Sequence, residues 1–132
     1  GVAAALALGA AGVQVGTAFL AREESGASAV HRKALLSPEA RVTVLTRAFS
    51  GRLARGIPNR FQREMATVED DIPPYPIQSG LTQELRRVAN ERGAGELVHL
   101  WAGQAAALAT SGSAAAFLAQ LVAETELTLN QV

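Results

Sequence analysis

The apolar run VQVGTAFL at residues 13–20 limits the possible folds of this chain more than any other feature. It is β-branched at its start, and it follows a helix-forming stretch over residues 1–9 and a turn that contains Gly9 and Gly12. A short, almost continuous apolar run after a helix and a tight turn is typical of a parallel strand buried on both faces. We therefore predict that the chain opens with an α–turn–β unit, which is half of a βαβ crossover.

The rest of the chain is mostly helical in its pattern. Apolar residues at helical spacing predict helices over residues 23–36, 81–93, 97–108 and 114–122, with Ser113 as the N-cap of the last one. The alternation over residues 41–47 predicts a short strand, and Pro38 suits a first helical turn. Residues 52–65 suit a loop that enters a helix, whereas the three prolines in residues 70–76 exclude a helix or a central strand.

One or two strands and about five helices do not make a complete architecture. A solitary parallel strand has no partner for its hydrogen bonds, and each unpaired buried backbone group costs about 1–3 kcal/mol. The chain also begins at Gly1 and enters a helix without a capping residue ahead of it. We therefore expect a fragment of an α/β protein, with a strand that pairs outside this chain.

Composition excludes several function classes. The 132 residues are 48% hydrophobic and 18% charged, which is typical of a folded, soluble protein. Twelve basic and twelve acidic residues cancel, so electrostatics gives no reason to expect a nucleic acid or an anionic membrane as partner. The apolar residues 1–21 are interrupted by Gln14 and Thr17, which argues against a membrane span. Without cysteine there is no disulfide and no thiolate metal site; we predict no metal site and a cytoplasmic location.

The segment from Gly12 to Thr17 is the best local candidate for a binding site. A glycine at the carboxyl end of a strand removes the side chain that would block a ligand. The amides of Gly16 and Thr17 and the Thr17 hydroxyl could then bind a phosphate, as happens at the last strand–helix junctions of (β/α)-barrels. Alternatively, Gly16 only relieves crowding near a helix, and the spacing alone does not decide between the two interpretations.

Several segments in order resemble the nitronate monooxygenases, formerly called 2-nitropropane dioxygenases. Residues 9–20 (GAAGVQVGTAFL), with Glu24-Ser25, His31 and Lys33 after them, resemble the end of that family's barrel. Further similar segments are TVLTRAFSGRLARGIPN at 43–59, YPIQ at 75–78 with LT at 81–82, and WAGQ at 101–104. The QVGT and TRAFSG motifs are the most specific, and the tail beyond Leu121 adds little.

The resemblance implies an FMN enzyme that oxidises alkyl nitronates, such as propionate 3-nitronate, with O₂. Its fold class would be α/β: the C-terminal part of a (β/α)8 TIM barrel at residues 1–36, and a mostly helical, smaller substrate-side region at residues 37–132. The family's Gln-x-Gly-Thr segment contacts the FMN phosphate side, which corresponds to Gln14, Val15, Gly16 and Thr17. The family's catalytic histidine and Gly-Gly-Ile phosphate loop would lie upstream of Gly1. We therefore assign no catalytic residue to this chain and expect the chain alone to be inactive.

Two other functions stay open. An FMN-dependent enoyl-acyl-carrier-protein reductase has a similar barrel end and Gly-Gln motif, although the run TRAFSGR fits the monooxygenase better. A non-catalytic helical interaction module is the second alternative. Such a module would fold cooperatively without flavin, whereas a fragment of an enzyme is expected to be poorly folded and colourless.

Four further polar residues have competing interpretations. His31 and His99 fit a partly exposed helix surface better than a general base. Tyr75, between prolines, either lines the mouth of an active site or anchors its loop by packing. Gln104 is expected on an inward helix stripe, where its amide needs a partner. Gly103 beside it indicates a close approach, either by another helix or by flavin or substrate, and the family resemblance favours the second.

Overall fold

The structure is a computed structural model that describes residues 1–131. Over this range the chain is mixed, with seven α-helices, one antiparallel pair of strands and four short 3₁₀ turns. The helices are α1 (Val2–Ala7), α2 (Thr17–Leu20), α3 (Ala29–Leu35), α4 (Arg60–Met65), α5 (Ile77–Leu81), α6 (Gln83–Glu91) and α7 (Ala114–Leu129). The strands are β1 (Val44–Thr46) and β2 (Ala54–Gly56), and the 3₁₀ turns are Pro38–Arg41, Ala66–Asp71, Gly95–Leu97 and Ala106–Leu108.

The sheet gains a third, irregular member from residues far along the chain. Strands β1 and β2 pair in a register that sets Val44 opposite Gly56, and Gly56 also forms an antiparallel bridge with Trp101. The N–H of Ile57 donates to the Leu100 carbonyl at 2.9 Å. A Cβ atom on Gly56 would lie 2.7 Å from that same carbonyl oxygen, so only glycine allows this close approach.

The core lies between α3, α6, β2 and the segment at residues 98–102. Its largest fully buried side chains are Phe49, Leu35, Ile57 and Val98, and Phe49 stacks on Phe61 with ring centroids 4.8 Å apart. Alanines fill much of the remaining space, which lets backbone segments pack closely. The contiguous core cluster is Ala21, Leu35, Ala40, Ile57, Ala89, Val98, Leu100, Ala102 and Ala106.

Asn59 links the start of α4 to this core. Its Oδ1 accepts a hydrogen bond from the Gln62 N–H at 3.2 Å, and the Gln62 side chain accepts from the Asn59 N–H in return. This capping box satisfies donors that a helix start otherwise leaves unpaired. The Asn59 Nδ2 donates to the carbonyls of Gly95 at 2.9 Å and Val98 at 2.7 Å. One buried amide therefore joins a helix start to the chain that pairs with β2.

Helix α7, the longest of the described helices, packs against α1 at the other end of the chain. Its N-cap is Ser113, whose side chain accepts a hydrogen bond from the Ala116 N–H at 3.2 Å. The Glu24 carboxylate accepts from the Ala114 N–H at the same end, with the closer oxygen 2.8 Å away. Among residues 1–131, no helix combines the length and the apolar character that a membrane crossing requires.

Several local predictions are confirmed. The first helix ends before Gly9, which has a positive φ of 93°. Pro38 lies in the first turn of a 3₁₀ segment, β1 falls within residues 41–47, and Ser113 caps the last helix. Helix α6 ends just before Gly93, which also has a positive φ. Local signals of capping and chain reversal were therefore sufficient for these elements.

The predicted strand at residues 13–20 is wrong for the described chain. Residues 12–16 have no regular structure, and Thr17–Leu20 form the short helix α2. A strand needs a hydrogen-bonded neighbour, and none of residues 1–131 pairs with this segment.

The predicted helix over residues 97–108 is also wrong, and β2 was not predicted. Residues 98–102 run extended beside β2, and a 3₁₀ turn follows at Ala106–Leu108. Their apolar spacing resembles that of a helix, but pairing with β2 satisfies the backbone instead. The helix predicted over residues 23–36 is shorter than expected, because α3 begins only at Ala29, after the N-cap Ser28.

Candidate functional site

The four residues predicted to contact a phosphate line an open cleft. Residues 14–18 form one wall of this cleft, residues 103–105 form the opposite wall, and the start of α7 closes one end. Its volume is about 520 Å³, and we call it the QVGT cleft. The lining residues are Gln14, Val15, Gly16, Thr17, Ala18, Gly103, Gln104, Ala105, Leu108, Ala109 and Phe117.

A single hydrogen bond joins the two walls of the QVGT cleft. The hydroxyl oxygen of Thr17 accepts from the Gly103 N–H at 2.9 Å. A Cβ atom on Gly103 would lie 3.4 Å from that oxygen, so the backbone at 103 lies directly against the Thr17 side chain. The hydroxyl hydrogen of Thr17 stays available to donate to an acceptor in the cleft.

The backbone at Gly16 is open to a ligand. A Cβ atom on Gly16 would meet no atom within 4 Å, so no helix within residues 1–131 crowds this position. The N–H groups of Gly16 and Thr17 find no acceptor within residues 1–131. Unpaired N–H groups beside a hydroxyl suit the oxygen atoms of an anion. None of the residues that line the QVGT cleft carries a charge.

Gln104 lines the QVGT cleft, but the secondary structure and the exposure of this residue differ from the prediction. It was expected on a helix, with its amide directed inward, but it lies in an irregular segment and is exposed. Its side chain makes no hydrogen bond within the described chain, and neither does that of Gln14 on the opposite wall. Two free amides therefore face the same space. Leu108, expected on the same inward stripe, is 81% exposed and also lines the cleft.

Comparison with known proteins now gives the family. The family model for nitronate monooxygenase matches residues 1–124 of this chain. The chain belongs to the nitronate monooxygenase family. The QVGT cleft and the TRAFSG segment both fall inside the matched range.

Individual relatives agree with this assignment. A probable nitronate monooxygenase of Staphylococcus aureus (strain Newman) is 48% identical over 122 residues, which is 92% of this chain and 34% of that protein. A solved nitroalkane oxidase from Streptomyces ansochromogenes has a TM-score of 0.92 at 41% identity, over 99% of this chain and 37% of its own. FabK from Thermotoga maritima has a TM-score of 0.77 at 30% identity, over 98% of this chain and 41% of its own. The chain therefore spans about a third of the curated relative and about two fifths of the solved chains.

Two of the segments that resemble the nitronate monooxygenases pack on one another. Gln78 and Thr82, from the YPIQ and LT segments, are buried. The Gln78 Nε2 donates to the Ala48 carbonyl at 2.6 Å, and the Thr82 hydroxyl donates to the Phe49 carbonyl at 2.6 Å. Sequence reasoning missed both residues. Apolar spacing gave no signal for them, because the neighbouring Ile77 and Leu81 are exposed while Gln78 and Thr82 are buried.

Tyr75 does not line the QVGT cleft. The residue is 55% exposed, and the Arg52 guanidinium carbon lies 5.1 Å from the ring centroid. A Cβ atom on Gly51, which has a φ of +76°, would lie 2.7 Å from the Tyr75 nitrogen. Tyr75 thus packs on the loop of the TRAFSG motif, and a role on the substrate side stays a prediction.

Both histidines contact Trp101, His31 through the backbone carbonyl and His99 through its ring. His31 is only 8% exposed, so the expectation of a helix surface was wrong for it, and its Nε2 donates to the Trp101 carbonyl at 2.8 Å. The ring of His99, which is not on a helix, lies 5.4 Å from Trp101 and 6.0 Å from Phe49 between centroids. Its Nδ1 is buried without a partner.

Burial lowers the pKa of both imidazoles. The pKa of His31 falls because burial penalises the charged ring, although the Trp101 carbonyl opposes the shift. The pKa of His99 falls to about 4, first through burial and then through the positive charges of Arg86 and His31. Both rings are therefore neutral at pH 7, and neither lines the QVGT cleft.

Proposed function

We propose that this chain supplies part of the FMN phosphate site of an enzyme that oxidises alkyl nitronates, such as propionate 3-nitronate, with O₂. The observation that carries the proposal is the Thr17–Gly103 hydrogen bond, because it joins the Gln-x-Gly-Thr wall to the Gly-Gln wall. In support, the unpaired N–H groups of Gly16 and Thr17 and the Thr17 hydroxyl can donate hydrogen bonds to a phosphate.

The assignment of cofactor contacts follows from the family. Gln14, Val15, Gly16 and Thr17 would hold the phosphate side of FMN, and Gln104 would approach the cofactor or the substrate from the facing wall. When bound, the flavin would accept electrons from the nitronate and pass them to O₂. This chain's own part is to bind and orient the cofactor, since we assign none of its residues to a catalytic step.

The architecture around the QVGT cleft belongs to the same proposal. Residues 1–36 would be the end of a (β/α)8 TIM barrel, and residues 37–132 a mostly helical region on the substrate side. The unpaired backbone at residues 12–16 is consistent with a strand that gains its neighbours from the remainder of such a barrel. A cytoplasmic location likewise stays a prediction from the sequence.

An enoyl-acyl-carrier-protein reductase is the alternative of the same cofactor class. The similarity to FabK is consistent with it, but identity and TM-score are both higher for the nitroalkane oxidase. The two functions differ in their electron donor: a nitronate in the first, and NADH in the second.

Flavin absorbance measured on the full-length protein separates these functions. Under anaerobic conditions, propionate 3-nitronate is expected to bleach the bound flavin, and admission of O₂ is expected to restore the colour. NADH serves as the comparison. Prompt bleaching by NADH, with no response to the nitronate, would contradict our proposal and favour the reductase.

Unfolding of the isolated 132-residue chain tests the non-catalytic alternative. An independent helical module would show a sharp thermal transition and stay monomeric without flavin. A piece of a barrel is expected to unfold broadly or aggregate, and to be purified without colour. A cooperative transition would therefore count against the interpretation of this chain as a fragment of a barrel.

A further inference from the structure

Arg22 is a buried cation that contacts no carboxylate of residues 1–131 directly. It is 3% exposed, and its guanidinium donates to three neutral acceptors: the Ala18 carbonyl at 2.9 Å, the Ser111 carbonyl at 3.0 Å and the Thr110 hydroxyl at 3.1 Å. Buried charges in proteins are usually paired, because the loss of hydration is costly. Neutral acceptors satisfy the N–H groups of Arg22 but leave its positive charge uncancelled.

This cation lies directly behind the QVGT cleft. Two residues that line the cleft contact Arg22, namely Ala18, through its carbonyl, and Phe117, whose ring centroid lies 4.1 Å from the guanidinium carbon. Gly16 lines both the QVGT cleft and a smaller cleft of about 280 Å³, which Arg22 also lines. The guanidinium therefore contacts residues that line the QVGT cleft, although Arg22 itself does not line it.

We infer that Arg22 is a positioning residue of the phosphate site, and that its charge makes the QVGT cleft selective for a flavin that carries a phosphate. The inference rests on the proposed function and extends it to a residue outside the Gln-x-Gly-Thr motif. Because the cleft lining is uncharged, a phosphate bound there would gain no favourable charge from its direct contacts with this chain. The buried Arg22 supplies this attraction across the protein interior, which screens charge less than water does.

Glu24 is the opposing charge in this arrangement. It lines the smaller cleft together with Arg22 and Gly16, and its carboxylate accepts from the Ala114 N–H. That hydrogen bond, with a minor contribution from Arg22, lowers the pKa of Glu24, so the carboxylate is ionised at neutral pH. Glu24 forms no salt bridge with Arg22, and it would repel a phosphate at Gly16. Arg22 and Glu24 are therefore expected to change phosphate binding in opposite directions.

FMN and riboflavin distinguish charge from structure, because the two flavins differ only in the terminal phosphate. Both are titrated into flavin-free, full-length protein, and binding is followed by quenching of flavin fluorescence. The quantity compared is the riboflavin Kd divided by the FMN Kd, which we call the phosphate preference. In R22Q we expect the phosphate preference to fall at least about tenfold, the scale for loss of one nearby charge at a moderate effective dielectric.

Two matched variants complete the test. R22K retains the charge and is expected to keep the phosphate preference within roughly threefold of wild type. E24Q removes the opposing charge, leaves Arg22 in place, and is expected to raise the preference about threefold. E24Q also keeps the inference testable if R22Q does not fold, because an unchanged or lower preference in E24Q would contradict it.

The outcomes also separate this inference from the proposed function. If wild-type protein binds neither flavin, or binds both equally, the phosphate site itself is wrong. If wild type prefers FMN but R22Q weakens FMN and riboflavin by the same factor, Arg22 only clamps α2 to residues 110–111. That result would overturn the inference and leave the proposed function intact.

Discussion

The hydroxyl of Thr17 and the backbone N–H of Gly103 are joined by a hydrogen bond of 2.9 Å, although 86 positions separate them in sequence. The bond brings the Gln-x-Gly-Thr segment to the segment that carries Gln104, and the QVGT cleft lies between them. Since the Thr17 hydroxyl oxygen is already engaged as an acceptor, its hydrogen is directed to other partners. The geometry of the cleft therefore depends on one side chain of the proposed phosphate site.

Replacement of Thr17 by valine is expected to weaken FMN binding. Valine preserves the branched shape but removes the hydroxyl that would donate to the phosphate. A hydrogen bond to a charged acceptor contributes about 1.5–3 kcal/mol, so we expect the FMN Kd to rise by about tenfold or more. T17S retains the hydroxyl and is the matched control, expected within about threefold of wild type. Equal FMN affinity in T17V, measured by fluorescence titration, would contradict the role of this residue.

The four residues proposed for the phosphate side can be grouped from the sequence alone, whereas the contact that brings Gln104 beside them cannot. Gln14, Val15, Gly16 and Thr17 are contiguous, so a local pattern shows them together. Gln104 joins them only through the Thr17–Gly103 contact, and Arg22 has no local pattern that distinguishes it from a solvated arginine. Both depend on long-range packing, which a single sequence does not reveal.

The same distinction applies to the fold. Caps and chain reversals at Gly9, Gly93 and Ser113 were predicted, because each depends on residues within one turn. Strand β2 and its pairing with residues 98–102 were missed, because the close approach at Gly56 is visible only when Leu100 is beside it. The apolar run at residues 13–20 has a strand-like pattern, but that pattern produces a strand only beside a partner.

Gly56→Ala is expected to destabilise the protein without touching the QVGT cleft. The new methyl group would lie 2.7 Å from the Leu100 carbonyl oxygen, which is backbone and cannot rotate away. Overpacking of this kind costs about 1–3 kcal/mol. The matched control is Gly80→Ala within α5, where a Cβ meets nothing within 4 Å and alanine favours the helix. Urea unfolding of the full-length protein is expected to give a lower midpoint for G56A only, and equal midpoints would contradict the steric reason.

Asn59→Asp is expected to cost about 3 kcal/mol or more. Aspartate can still cap α4, but it loses the two donations from Nδ2 and turns a negative oxygen toward the Gly95 and Val98 carbonyls. Asn130→Asp, at the exposed end of α7, is the matched control and is expected to change stability by less than about 0.5 kcal/mol. The measurement is the free energy of unfolding at pH 7.5. A small effect of N59D would show that the two carbonyls find other partners.

As the pH falls, the protein is expected to lose stability first through His99. The carboxylates of the protein contribute only at lower pH. The pKa of His99 is about 4 in the folded chain and 6.5 ordinarily, so the unfolded state binds the proton more tightly. The stability gained from the neutral ring is complete above pH 6.5 and is lost as the pH falls, by about 2 kcal/mol at pH 5. His31 shifts in the same direction and adds to the loss.

Glutamate titration falls in a lower pH range and does not obscure this effect. The pKa values of Glu24, Glu39 and Glu84 are lowered from 4.5, first by hydrogen bonds from the Ala114 N–H, the Ser37 side chain and the Arg87 side chain respectively, so their contributions decline mainly below that pH. We therefore expect the free energy of unfolding to fall much less in H99Q than in wild type when the pH is lowered from 7.5 to 5. Urea unfolding at both pH values measures this difference. If the free energy of unfolding fell equally in H99Q and in wild type, the wild-type His99 ring would have to be protonated in the folded protein at pH 5. Its buried Nδ1 would then need an acceptor.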